Sequence, residues 1–147
     1  GVVEGGGGDE GPMTLPMMVP ADIEELAVTY LAPIMAPTPV GTRLPSPDVS
    51  GFLRVESAGG TQPNPVEYDL NVIVHGYSPD EVHASTIARH AVAALVAATG
   101  LTINGWFVGD TSNPVTPTRL TDPNVNLPRY RAICTWRVTG HPWTPGS

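Results

Sequence analysis

With 147 residues, the chain is long enough to bury one modest core and short for two. Charged residues make up only 14%, against roughly 25% in ordinary soluble domains, and 17 prolines with 16 glycines point to long irregular connections. A formal net charge of −7 excludes a phosphate-gripping surface of the usual kind, which needs a basic footprint. A negative wall instead lets DNA pass close by without sticking.

The only cysteine, Cys134, rules out an internal disulfide and sits in the apolar register of a strand, the place of a small core residue. No run of about 18 apolar residues is present, so no membrane-spanning helix is expected. The opening "GVVEGGGGDEGP" has neither the basic nor the apolar region of a signal peptide, which predicts a protein that is intracellular at synthesis.

Residues 1–20 read as an extended Gly/Pro-rich arm, because glycine runs lose the most backbone entropy on ordering and three prolines break any helix. Such an arm would most simply lie against another subunit. A single domain is expected over residues 21–140, followed by an irregular tail at 141–147.

The first predicted helix runs from about Ala21 to Ala32. Ile23, Leu26, Ala27, Tyr30 and Leu31 form one apolar stripe, acidic residues fill the first turns, and Pro33 is expected to end it. A first strand is predicted at Phe52–Ser57, closed by a turn in "AGGTQPNP". The second, Glu67–Tyr77, alternates Tyr68, Leu70, Val72 and Val74 with Glu67, Asp69, Asn71 and His75, with Ile73 the exception on the polar side.

The second helix has Ser78 as expected N-cap, Pro79 at the first position and Glu81 completing a capping box. Ile87, Ala91, Ala94, Leu95 and Ala98 supply its core stripe, and Gly100 stops it. Val92 and Val96 make a second apolar strip that needs separate cover. A third strand is predicted within Leu101–Val108, interrupted at Gly105, then a long loop from Gly109 to Pro128. The fourth strand, Tyr130–Thr139, places Tyr130, Ala132, Cys134, Trp136 and Val138 on one face and Arg131, Ile133, Thr135 and Arg137 on the other. The order predicts an α+β fold: an antiparallel sheet of about four strands, two helices packed on one face, and long Pro-rich loops.

Catalytic signatures are missing from the sequence: it holds no nucleophile elbow, P-loop, dinucleotide fingerprint or zinc helix motif. His83 and His90 lie about two turns apart on one helix, too far to grip one metal easily. Asp69 and Asp80 lack a nucleophile to work with, so a strand face and the helix dipole explain them better. No catalytic, cofactor-binding or metal-binding residue is therefore expected. The outward strand face could gather Arg54, Glu56, Glu67, Asp69, Arg131 and Arg137. These could form cross-strand pairs within one chain, contributing about 0.2–1 kcal/mol each. Alternatively, the acidic second strand of one copy could meet an arginine-bearing strand of the next, since the guanidinium fork binds carboxylates bidentately.

"GFLRVESAGG" (51–60), "EYDLNVIVHGYS" (67–78), "DEVHASTIARHAVAALVAATG" (80–100) and "TDPNVNLPRYRAICTWRVTG" (121–140), in that order, resemble the tail terminator proteins of long-tailed, siphovirus-type actinobacteriophages. The similarity covers roughly Val19 to Gly140; its most suggestive elements are the paired glycines after the first strand and Pro-Arg-Tyr before the last. The resemblance implies a non-enzymatic virion protein, made in the host cytoplasm and placed at the head-proximal end of the tail. Copies would form a hexameric ring on the last ring of the tail tube protein, stop its growth and face the head–tail connector protein, with DNA passing through the lumen. Matching positions are Arg54, Gly59, Gly60, Asp69, Pro128, Arg129, Tyr130 and Arg137, which the resemblance places at subunit interfaces or strand ends. The Gly-rich arm departs from the family pattern. Taken with the charge pattern, the subunit-interface candidates are Arg54, Glu67, Asp69, Arg129, Tyr130, Arg131 and Arg137. Another head-to-tail joining protein is the near alternative, and a small cytoplasmic ligand-binding module, which would need a pocket of convergent polar groups, the distant one.

Overall fold

Two helices and a long stretch of strand share one core in the computed structural model, which describes residues 17–121, 124 and 126–146. Of the arm expected over residues 1–20, residues 1–16 lie outside the described residues, and Met17–Val19 is strand. In chain order the elements are β1 (Met17–Val19), α1 (Ile23–Met35), β2 (Val40–Gly41), β3 (Phe52–Asn64), β4 (Glu67–Tyr77), α2 (Glu81–Val96), β5 (Thr102–Ile103), β6 (Trp106–Leu120), β7 (Arg129–Thr139) and β8 (His141–Trp143).

The expected α+β sheet of about four antiparallel strands, with helices on one face and long Pro-rich loops, is overturned. Strand accounts for 47% of the described residues, in a six-stranded sheet curled as a half-barrel plus a separate two-stranded sheet. The larger sheet runs β2-β3-β4-β7-β6-β5, and the smaller pairs β1 with β8. β2 lies parallel to β3, while the other neighbours are antiparallel.

The difference comes from segments whose glycines and prolines suggested turns. β3 continues through "AGGTQPN" because bulges absorb the irregularity between Ser57 and Gly60 and again between Thr61 and Asn64. Gly60 is required there: a Cβ would stand 2.1 Å from the Asp69 carbonyl oxygen. Most of the loop expected at 109–128 is strand β6, whose pairing with β7 shifts around Asn113–Pro114 and Thr116–Pro117. Proline is tolerated because, among the described residues, β6 has no neighbour on its other side at these positions. The break at Gly105 is a two-residue hairpin, Asn104–Gly105, with φ of 49° and 86° at its centre. The tail expected to be irregular contributes β8, held by β1 and by His141 stacked flat on Trp106 with centroids 3.4 Å apart.

Both helices start on aspartate. In α1, Asp22 accepts from the Glu25 N–H at 3.2 Å. The helix does not stop at Pro33 but runs to Met35, because proline removes only its own N–H and buried Leu31 and Met35 anchor the last turn. The N-cap of α2 is Asp80, accepting from Val82 N–H at 3.0 Å, rather than Ser78. Ser78 is buried one step earlier, donating to the Ser50 carbonyl and accepting from Asp80 N–H.

Leu53, Val55, Val72, Val74, Ala132, Cys134, Trp136 and Val138 project from the sheet into a core shared with Leu26, Leu31, Ile87, Ala91 and Leu95. Trp136 is fully buried, packs edge-on against Tyr30 at 5.5 Å and donates from Nε1 to the Leu95 carbonyl at 2.9 Å. The second strip on α2 is split, with Val92 joining the core margin and Val96 40% exposed.

Candidate subunit interface

Strand register decides what the outward face of the sheet carries, since residues opposite one another share a face. Four rows can be traced. Arg54 lies opposite His75, His75 opposite Arg131, and Arg131 opposite Thr118. Next come Glu56, Ile73, Ile133 and Val115, and after them Asn71, Thr135 and Ser112. Asp69, Arg137 and Asp110 form the fourth row, with Glu67 beyond them. The face therefore has a basic end, an apolar band, a hydroxyl–amide strip and an acidic end.

At the acidic end Arg137 makes a two-pronged contact with Asp69, Nε to Oδ1 at 2.8 Å and Nη2 to Oδ2 at 3.0 Å. That contact holds the Asp69 carboxyl below its ordinary pKa and raises the Arg137 guanidinium further. Glu67 and Asp110 also act on Arg137. The Asp110 carboxylate is exposed and makes no hydrogen bond or ion pair among the described residues. Phe107, 44% exposed, lies beside the preceding residue: a Cβ at Gly109 would stand 3.4 Å from its ring and 3.5 Å from Glu67 Oε2.

The basic end is built around His75, whose side chain is 3% exposed. Its Nε2 is 2.8 Å from Glu56 Oε1, and its Nδ1 is buried without a hydrogen-bond partner. Burial pushes the His75 pKa down, the Glu56 bond opposes this, and Arg54 and Arg129 push it down further. The imidazole is accordingly neutral at pH 7 and donates Nε2–H to Glu56. The His75 bond in turn holds the Glu56 carboxyl below its usual range, with Arg54 and Arg131 helping. Arg54 donates from Nε to Tyr77 Oη at 3.2 Å and reaches Glu56 at 3.8 Å. Arg129 donates to the Thr121 carbonyl at 3.4 Å. The half-buried Arg131 guanidinium makes no hydrogen bond or ion pair among the described residues. It borders a cavity of about 190 Å³ walled by Val115, Thr118, Leu120 and Ile133.

Of the interface candidates read from the sequence, Arg54, Arg129 and Arg131 gather at one end and Glu67, Asp69 and Arg137 at the other. Tyr130 shares the alternation of Ala132 and Cys134, on the face turned to the core. Among the described residues, the pairing of outward arginines with Glu67 or Asp69 is met inside the chain by Arg137 alone. Arg131 stands opposite His75, six residues along β4 from Asp69, about 20 Å away at ~3.3 Å per residue. Sequence reasoning missed His75 as the centre of the basic end, and Asp110 and Phe107 as part of the acidic end. The first had a signal in the β4 alternation, while the others fell in or beside a segment read as loop.

Elsewhere, His83 and His90 line an open cleft of about 400 Å³ between the end of α1 and the side of α2. His83 Nδ1 is 3.1 Å from Ser78 Oγ. Among the described residues no three metal-capable side chains converge, and no helix is long and apolar enough to cross a membrane. Cys134 is buried in the core, its thiol pushed up to about 11 by desolvation. No protein-family model matches the chain, and no curated protein sequence matches it.

Proposed function

We propose that this chain is a ring-forming structural protein of a phage virion, a tail terminator that caps the tail tube and joins it to the head connector. The observation that carries the reading is the state of the sheet's two flanks. β2 covers β3 only at Leu53 and Arg54, and the Gly100–Ile103 segment covers β6 only as far as Val108. Among the described residues, long stretches of both outer strands thus have a neighbour on one side only. Bulges and prolines in both strands discourage indiscriminate strand pairing, so contacts there must be specific.

The two flanks also differ from one another. Non-equivalent surfaces on opposite sides of a subunit favour head-to-tail contacts, which close into a ring when the rotation per copy permits. The proposed ring has about six copies, with an acidic balance suited to a DNA conduit. Electron microscopy of the purified protein, together with light scattering, tests this: closed rings of about six copies are expected. A protein that stays monomeric at high concentration and is missing from virions would refute it.

A further inference from the structure

The outward sheet face carries two charged groups that form no hydrogen bond or ion pair among the described residues. Arg131 is half-buried beside an apolar-walled cavity, with no hydrogen bond or ion pair among the described residues. A guanidinium with five donors and restricted access to water gains most from a carboxylate brought to it. At the other end of the same face, Asp110 likewise makes no hydrogen bond or ion pair among the described residues, and exposed Phe107 lies against Gly109, the residue before it. One end thus offers a cation next to a hollow, and the other an anion next to a protruding ring. A cavity of about 190 Å³ holds one aromatic side chain.

The ends cannot meet within one chain, being about 20 Å apart on a hydrogen-bonded sheet, at ~3.3 Å per residue. Charge and shape therefore complement each other only between copies. Local imbalance points the same way. Among the described residues Arg54 and Arg131 both act on Glu56 at the basic end, whereas Arg137 is shared by Asp69, Asp110 and Glu67 at the acidic end.

We infer that the basic end of one copy receives the acidic end of the next, with Asp110 paired to Arg131 and Phe107 seated in the cavity formed by Val115, Thr118, Leu120 and Ile133. This rests on the ring reading and gives it a contact. Each copy uses one end of the face toward each neighbour, so the contact is heterologous and can propagate round a circle. A buried aromatic anchor beside a desolvated ion pair is the arrangement in which a few residues carry most of an interface's energy. Apolar walls around Arg131 strengthen the pairing by keeping water and salt away from it.

The test is a charge swap in the full-length protein, read by sedimentation velocity, with circular dichroism confirming the fold of each variant. Arg131→Glu and Asp110→Arg should each weaken self-association by at least about tenfold. The double variant, carrying both reversals, should recover assembly to within a few-fold, since the swapped pair again attracts. Phe107→Ala should weaken assembly without altering the circular dichroism spectrum. Rings that persist through both single reversals would overturn this contact while leaving the ring reading standing. A dimer sensitive to both reversals and restored by the double variant would uphold the charge pairing and overturn the ring. A protein monomeric at every concentration would overturn both. Double-stranded DNA binding lost on Arg131→Glu, with assembly unchanged, would assign the basic end to phosphate and sink the inference.

Discussion

Acidification should weaken this fold through one buried side chain, His75. The groups facing it are Arg54 and Glu56 on β3, Tyr77 on β4, and Arg129 and Arg131 on β7. Burial holds its pKa below the ordinary value, the bond to Glu56 only partly offsets this, and Arg54 and Arg129 add to the depression. A histidine with a lowered folded pKa binds fewer protons in the folded state than in the unfolded chain. Its contribution to stability is therefore complete above the unfolded value of about 6.5 and is lost as pH falls below it. The slope can reach about 1.4 kcal/mol per pH unit between the unfolded and folded pKa values. Glu56, held low by the same bond, stays ionised across this window and adds no slope of its own. Urea unfolding at pH 7.5 and pH 5.5 should show a loss of up to about 1.4 kcal/mol with unchanged m-value. His75→Gln keeps an N–H for Glu56 but cannot titrate, so its stability should fall less over the same interval. An equal loss in His75→Gln, or a wild type that grows more stable on acidification, would refute the reasoning.

Other perturbations probe separate parts of the chain. Trp136→Ala should cost about 3–5 kcal/mol in guanidinium unfolding, since it empties a fully buried site and breaks the bond to Leu95. Gly76→Ala should destabilise by about 1–3 kcal/mol or more by thermal unfolding, because a Cβ there would stand 2.5 Å from the Ala84 carbonyl oxygen and 2.9 Å from the Ala88 nitrogen, both backbone of α2. A double-mutant cycle with Asp69→Asn and Arg137→Gln should give only a weak coupling that shrinks with added salt, as both side chains are partly open to water. A thiol reagent should label Cys134 only as the protein unfolds, since the group is buried and its pKa stands at about 11.

Periodicity made part of this structure readable. The β4 and β7 alternations predicted which residues enter the core, Trp136 and Cys134 among them, because a strand with one covered face repeats every two residues. The helix stripes were legible for the same reason. Composition misled where glycine and proline stood for something other than a turn. At Gly60 the small residue permits a close backbone approach inside a strand, and at Pro114 and Pro117 an edge strand tolerates the lost donor. Asn104–Gly105 is a hairpin turn whose residues both accept positive φ, although the glycine alone suggests only an interruption of a strand. The candidate interface depended on register, which a single strand does not disclose. Arg131 and Arg137 look equivalent along β7, yet one lies opposite buried His75 and the other opposite Asp69.

That difference bears on why the charges stand where they do. Few ionisable side chains serve this chain, and several of them lie on one sheet face. If stability of the isolated subunit were the only demand, alternating signs along the strands would serve better, as the Asp69–Arg137 pair does at one row. Instead Arg131 lies among arginines, and Asp110 shares Arg137 with two other carboxylates. Such segregation weakens the lone subunit slightly through like-charge repulsion, a cost that falls with added salt. It is repaid only by a body that brings the opposite sign to each end. In the inferred ring contact, a neighbouring copy on each side would do so, one at each end of the face. Added salt should therefore loosen the assembly more than it loosens the fold, and an assembly as salt-resistant as the core would show that the face meets its partner through apolar contact alone.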